Sequence, residues 1–206
     1  MEKIKVFVVG PSVGYSRFIE NKELVNNIED AEVVLFTGGE DINPSLYNKR
    51  AHHSTWYTQS RDDFEVENYK KVKENQLIVG ICRGAQLACA LNGGILIQDC
   101  NGHGGCRHNI TNGVETYEIQ SIHHQMMYPW DMPKEDYSIL FWSDRKRSNA
   151  YEGDGVDPSK VSCEPEIIMF HKKGHPKTLA IQGHPEMSMD SNVVDMINKI
   201  IKENIC

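Results

Sequence analysis

The sequence predicts an α/β fold in which helices cover both faces of a mostly parallel sheet. Short apolar runs of strand length recur along the 206 residues, and in the first half they alternate with helix-like segments. Such alternation is typical of a parallel sheet. The second half is rich in strand-like runs, so we expect an antiparallel extension there. A chain of this length can build a full hydrophobic core, and we expect a single domain over residues 1–206.

The elements follow from the apolar pattern. In the first half, strands are predicted in runs rich in Val, Ile and Leu, at 5–10, 32–39 and 76–81. Helices are predicted between and after them, at 16–29, 61–75 and 83–92. In the second half, strands are predicted at 114–121, 137–142, 166–171 and 178–183. A helix closes the chain at 190–203.

Composition and charge argue against several classes of function. The formal net charge is −7, which disfavours a nucleic-acid-binding surface. No apolar stretch approaches the roughly 20 residues that span a bilayer, and the first apolar run is too short for a signal peptide. We therefore expect a cytoplasmic protein with no nucleic-acid or membrane partner. The six cysteines are expected to be free thiols.

The stretch QLIVGICRGAQLACALNGG, residues 76–94, has the pattern of a nucleophile elbow. Cys82 lies between Gly80 and Gly84, where a strand-like run meets an Ala- and Leu-rich helical segment. Glycines suit this tight turn because a Cβ would collide with the neighbouring strand and helix. The amino end of a helix favours thiolate over thiol. The alternative is a buried, inert core cysteine, but core packing does not explain the two glycines.

Two histidine-containing stretches contain groups that can complete a site. His184 and Glu186, in AIQGHPEM, follow an apolar strand, and their spacing places both side chains on one face of an extended backbone. A carboxylate beside an imidazole fixes its tautomer and stabilises its cation. The stretch SIHHQMM, residues 121–127, also follows a predicted strand. Polar residues are common in loops, so this stretch by itself does not indicate a function.

A Gly-Gly pair can supply backbone donors. Gly38 and Gly39 end the run LFTGG, and their N–H groups can bind a developing oxyanion together with the N–H of Arg83. The alternative for an isolated Gly-Gly pair is a plain turn.

Together these stretches resemble one family. The motifs FTGGEDINPSLY, GICRGAQ, SIHHQ and IQGHPE resemble the class I glutamine amidotransferase superfamily, and more closely its γ-glutamyl hydrolase branch, the C26-type peptidases. RDDFE at 61–65 and NGGILIQD at 92–99 also resemble that branch, so the resemblance covers most of residues 34–187. It implies a flavodoxin-like, three-layer α/β fold.

The resemblance also implies residue roles. It implies a catalytic triad of Cys82, His184 and Glu186, with Gly39 and Arg83 as backbone donors of the oxyanion hole. For substrate binding it implies Gly38, Gln86, Ser121, His123 and His124.

The chemistry implied is hydrolysis of a γ-glutamyl amide. Cys82 attacks the γ-carbonyl, His184 protonates the departing amine, and water releases glutamate from the thioester. The substrate is a small γ-glutamyl compound and no cofactor is expected. One alternative is a glutaminase subunit that supplies ammonia to a separate synthetase or ligase. Another is a redox-sensing or binding protein on the same fold. The sequence leaves a homodimer open.

The stretch CNGHGGCRH departs from the family pattern. Cys100, His103, Cys106 and His108 lie within nine residues and could hold zinc, but zinc sites usually draw ligand pairs from separated segments. We expect a glycine-rich loop near the rim of the active site, without a metal.

Overall fold

The computed structural model describes residues 2–205, in which a large sheet is flanked by α-helices. The strands are β1 (Ile4–Val9), β2 (Lys22–Leu24), β3 (Val33–Phe36), β4 (Leu77–Ile81), β5 (Ile95–Ile97), β6 (Asp99–Cys100), β7 (Gly104–Thr111), β8 (Thr116–Ile122), β9 (Met126–Tyr128), β10 (Tyr137–Ser143), β11 (Tyr151–Glu152), β12 (Pro165–Phe170) and β13 (Thr178–Ile181). The α-helices are α1 (Gln59–Lys71), α2 (Arg83–Leu91) and α3 (Ser191–Asn204).

The central sheet has a parallel part and an antiparallel part, as the sequence predicts. Its strand order is β2-β1-β3-β4-β13-β12-β10-β7-β8. The strands from β2 to β13 run parallel to one another, and those from β12 to β8 pair antiparallel. Two small sheets, β5 with β9 and β6 with β11, lie outside it. The predicted α/β class and the antiparallel extension are confirmed.

Hydrophobic residues fill both faces of the parallel part. Alternate residues of β3 point to opposite faces, so Val34 and Phe36 belong to the core that contains α2, whereas Val33 and Leu35 belong to the core that contains α3. Strands buried on both faces are typical of a three-layer α/β fold. Among residues 2–205, none of the helices combines the length and the apolar character of a membrane-spanning segment.

The predicted helix at 16–29 is wrong. The segment contains the end of a 3-10 helix, the edge strand β2 and a second short 3-10 helix. The reason is that its apolar residues pack into two different cores. Phe18 packs on the α3 side of the sheet, whereas Ile28 packs on the α2 side. A helix with a single apolar stripe cannot fill two cores on opposite faces of a sheet edge.

The expected glycine-rich loop at 100–108 is also wrong in part, because residues 104–108 begin strand β7. This strand pairs with β8 in a hairpin, with a register irregularity between Gly104 and Cys106. Gly105 there has φ +76°, a conformation that suits glycine. The glycines that suggested a loop accommodate an irregular strand.

Asn198 ties α3 to the segment that replaces the predicted helix. Its buried side chain donates to the Phe18 carbonyl at 2.8 Å and accepts from the Glu20 N–H at 2.9 Å. Asn198→Ala should lower the free energy of unfolding by about 1–3 kcal/mol, since it leaves buried backbone groups unpaired. Urea denaturation measures this, with exposed Lys199→Ala as the control, expected within about 0.5 kcal/mol of wild type. Equal losses in both variants would contradict the assigned role.

Candidate active site

Cys82 lies in a strained turn between β4 and α2. Its φ of +50° and ψ of −103° are rare for a residue with a side chain. A Cβ on Gly80 would lie 2.5 Å from the Gly84 carbonyl, and a Cβ on Gly84 would lie 2.3 Å from the Phe36 carbonyl oxygen. The two glycines therefore let α2 begin in contact with both β3 and β4.

The sheet register brings His184 to the same edge. Ile81 of β4 pairs with Ile181 of β13, so Cys82 and His184 follow the ends of neighbouring parallel strands. His184 Nδ1 is 2.7 Å from Glu186 Oε1, and both side chains are buried. Burial lowers the pKa of His184, but the Cys82 sulfur and the Glu186 carboxylate outweigh this effect and raise it to about 10. The arrangement favours an imidazolium beside Cys82.

The loop after β3 presents backbone donors. Arg61 Nη2 donates to the Gly38 carbonyl at 2.7 Å. The carbonyl and the N–H of a planar trans peptide point in opposite directions, so the Gly39 N–H points away from Arg61. Within residues 2–205, neither the Gly39 N–H nor the Arg83 N–H at the start of α2 has a hydrogen-bond acceptor. Gly39 itself is exposed and has φ +151°.

A buried ionic network, which the sequence analysis missed, holds these elements together. The Arg83 guanidinium pairs with Asp62 at 2.5 Å and with Glu65, and all three side chains are fully buried. Arg61 pairs with Glu65 at 2.9 Å and with Glu40 at 2.5 Å. Burial raises the pKa of both Asp62 and Glu65. The i, i+4 spacing in RDDFE was the available signal, but its partner Arg83 is distant in sequence.

Tyr15 is a second residue that the sequence analysis missed. A Cβ on Gly38 would lie 3.0 Å from the Tyr15 ring and 3.1 Å from His184 Cε1, so the glycine leaves room for both rings. The Tyr15 and His184 ring centroids are 6.3 Å apart. Burial, followed by the charges of Glu186 and Cys82, raises the pKa of Tyr15. The half-buried phenol is thus kept neutral beside His184.

Three of the predicted substrate-binding side chains bond to protein groups in the interior. The carbonyl of Gln125 accepts from Gln86 Nε2 at 3.0 Å and from His123 Nδ1 at 2.9 Å. Ser121 Oγ donates to the His103 carbonyl at 2.9 Å. The role of these residues in substrate binding stays a prediction.

The fourth predicted side chain, His124, is partly exposed and lies between carboxylates. Its Nε2 is 3.1 Å from Asp41, which follows the Gly-Gly pair, and its Nδ1 is 3.2 Å from Asp99. The hydrogen bond to Asp41 is the main cause that raises the pKa of His124. His124 therefore joins the loop after β3 to the strand β6.

The five cysteines of the described residues are free, as expected from the sequence. Burial raises the pKa of Cys89 to about 12 and also raises the pKa of Cys100 and Cys163. Cys106 is half-buried, and its thiol donates to the Gly102 carbonyl at 3.4 Å. Burial thus keeps Cys89, Cys100 and Cys163 in the thiol form.

Comparison with known proteins agrees with the motifs. The family model of peptidase C26 matches residues 16–129, which include Cys82 and RDDFE. The chain belongs to the peptidase C26 family. This family member is 34% identical over 191 residues to a Lactococcus lactis protein provisionally named glutamine amidotransferase-like protein YvdE. The match covers 85% of this chain and 75% of that protein.

Two further likenesses are to a curated bacterial protein and to a solved structure of similar fold. The peptidase C26 chain is 27% identical over 193 residues to protein NtpR of Enterococcus hirae, covering 82% of this chain and 72% of that one. Its fold resembles a Thermoplasma acidophilum protein provisionally named as one of the subunits of a GMP synthase, with a TM-score of 0.62 at 16% identity. That match covers 98% of this chain and 94% of the other.

The pH dependence of stability tests the His184–Glu186 pair. The pKa of His184 rises from 6.5 to about 10 on folding, so its protonation stabilises the protein fully below pH 6.5. This contribution is lost as the pH rises through 10. In Glu186→Gln the loss should occur at lower pH, because one cause of the raised pKa is removed. Urea denaturation across pH 6–10 and NMR titration of the ring measure it.

The matched control is Glu203→Gln, which changes an exposed carboxylate of α3. It should follow the wild-type profile. A Glu186→Gln profile that coincides with wild type would show that the carboxylate does not set the protonation of His184.

Proposed function

We propose that the chain hydrolyses the γ-glutamyl amide bond of a small molecule through a thioester on Cys82. The observation that supports this most is the buried His184–Glu186 pair beside Cys82, at adjacent strand ends. A core cysteine has no need of an oriented imidazole, and a redox sensor has no need of the carboxylate behind it.

The proposed reaction uses groups of this edge of the sheet. The Cys82 thiolate attacks the γ-carbonyl carbon, and the oxyanion binds to the N–H groups of Gly39 and Arg83. His184, protonated on Nε2 and oriented through Nδ1 by Glu186, donates its proton to the departing nitrogen. The C–N bond breaks and ammonia or an amine leaves. Neutral His184 then takes a proton from water, which attacks the thioester and releases glutamate and the thiolate.

The polar end of the γ-glutamyl group needs its own partners. We place its α-ammonium and α-carboxylate groups near the SIHHQ segment, at the partly exposed His124. Asp41 and Asp99 flank this side chain, and an ammonium group pairs favourably with carboxylates. The hydrogen bond to Asp41 raises the pKa of His124, which favours its protonated form as the partner of the α-carboxylate.

A specific observation favours a second candidate, a glutaminase subunit that supplies ammonia to a separate synthetase. The candidate active site has little exposure to solvent, since Cys82 is 6% exposed and His184 is 2% exposed. A partner that opens the site would make activity depend on its presence. The Thermoplasma acidophilum protein of similar fold bears the name of a synthase subunit.

Covalent labelling tests the nucleophile. A glutamine analogue with an electrophilic carbon at the γ position should modify Cys82, and mass spectrometry of the digested protein locates the adduct. Cys82→Ser should abolish labelling, whereas Cys163→Ser should leave it unchanged. Modification of Cys89 or Cys100 with Cys82 untouched would sink the assignment.

Steady-state kinetics test the reaction. The purified chain should release glutamate from at least one member of a panel of γ-glutamyl amines, γ-glutamyl peptides and L-glutamine. His184→Ala should lower kcat about a thousandfold or more, since proton transfer is lost. Glu186→Gln should cost less because the carboxylate orients and stabilises without transferring a proton.

The control is Glu203→Gln, which should keep the wild-type kcat. Failure with every γ-glutamyl compound, together with glutamine hydrolysis only after a co-purifying ligase is added, would favour the second candidate. A wild-type rate for His184→Ala would overturn both.

A further inference from the structure

Three buried side chains that the proposed thioester chemistry does not use bring potential ligand atoms close together. His103, His123 and Glu166 each place a potential ligand atom within 4.8 Å of the others. They are 0%, 4% and 0% exposed. His103 precedes β7 and His123 follows β8, so the two histidines flank the end of the hairpin where Gly104 pairs with Ile122. Glu166 comes from β12 of the central sheet.

Each of these side chains has a buried polar atom without a hydrogen-bond partner. Within residues 2–205 these atoms are His103 Nδ1, His123 Nε2 and Glu166 Oε2. An unpaired buried polar atom is costly, and native proteins contain few of them. Three such atoms on three converging side chains point to a shared partner that is not a protein group.

In both histidines, the other ring nitrogen has a hydrogen-bond partner within the protein. His123 Nδ1 is 2.9 Å from the Gln125 carbonyl, which can only accept, so Nδ1 bears the proton and neutral His123 has its lone pair on Nε2. His103 Nε2 is 3.1 Å from Glu164 Oε2, and His103 Nδ1 is the ring nitrogen that faces Glu166. This is the usual outer shell of metal-binding histidines, whose other nitrogen donates to a carboxylate or a carbonyl.

Glu166 is held in a comparable manner. Its Oε1 is 2.9 Å from His108 Nε2, which leaves Oε2 free to bind. His103 Nδ1 is also 3.5 Å from Oε1. The carboxylate is therefore oriented by one histidine while its other oxygen is available.

The two buried carboxylates of this region differ in their hydrogen bonding. Within residues 2–205 the ion-pair partners of Glu164 and Glu166 are His103 and His108, with no Lys or Arg side chain. Glu164 also accepts hydrogen bonds from the backbone N–H groups of Arg147 and Ser148 and from the Tyr151 hydroxyl. Glu166 Oε2 has no such donor, so a cation bound there gives this oxygen the partner that it lacks.

We propose that His103, His123 and Glu166 bind a Zn²⁺ ion. Two imidazoles and one carboxylate are a known zinc ligand set, in which water takes the fourth position of the tetrahedron. Ca²⁺ and Mg²⁺ prefer all-oxygen sites, and imidazole favours zinc over them. In this buried position the ion ties the β7–β8 hairpin to β12.

The proposed site differs from the metal alternative considered from sequence. Of Cys100, His103, Cys106 and His108, only His103 belongs to the converging group, and Cys106 instead donates to the Gly102 carbonyl. The other two ligands come from β12 and from the segment after β8. Ligands from separated segments are the usual arrangement for zinc.

Metal content is the direct test. The full chain, stripped with a chelator and then dialysed against excess ZnCl₂ and against metal-free buffer, should retain about one zinc per chain by elemental analysis. Zinc should also raise the melting temperature, because it binds the folded state. His123→Ala and Glu166→Gln should lose the zinc. Cys106→Ser and the exposed control His175→Ala should keep it.

Cobalt gives a readout that needs no variant, in case His123→Ala or Glu166→Gln fails to fold. Co²⁺ added to the stripped wild-type chain should produce the strong visible absorption of tetrahedral coordination, and zinc should displace it. Folded wild-type protein that binds neither ion would overturn the proposal. So would zinc that survives His123→Ala but is lost on Cys106→Ser. These readouts do not use hydrolysis, so they are independent of the proposed activity.

Discussion

The buried pairing of Arg83 with Asp62 and Glu65 is the constraint on which the candidate site depends. A guanidinium group that is buried away from water is stable only when carboxylates pair with it. Helix α1 must therefore pack where its Asp62 and Glu65 side chains reach Arg83, the first residue of α2. Arg61 of the same helix then reaches the Gly38 carbonyl and orients the following peptide. One network thus sets the positions of the elbow, α1 and the loop after β3 relative to one another.

The parallel register adds the second half of the site. Phe36 pairs with Gly80 and Ile81 pairs with Ile181, so three strand ends meet at one edge of the sheet. Each following segment supplies a different function: backbone donors, the proposed nucleophile and the imidazole. This placement at the carboxyl ends of the strands is the general position of ligand sites in open α/β sheets.

The segment that follows strand β8 of the antiparallel extension contacts helix α2, which begins at the candidate site. The Gln125 carbonyl joins Gln86 of α2 to His123, and His123 is also one of the three proposed zinc ligands. A metal between the hairpin and β12 would hold this segment rigid where it approaches the first turn of α2. The extension therefore links a buried polar cluster to the edge where the proposed chemistry takes place.

The sequence by itself determined the fold class, the elbow turn and the family, because strand periodicity and the motif GICRGAQ are local. It failed at 16–29, where residues serving opposite faces of the sheet resembled one helical stripe. Only the tertiary structure decided the partners of Arg83 and brought His103 and His123 to Glu166. Those contacts join residues far apart in the chain, and their pairing is set by the desolvation of buried charge, which no local pattern encodes.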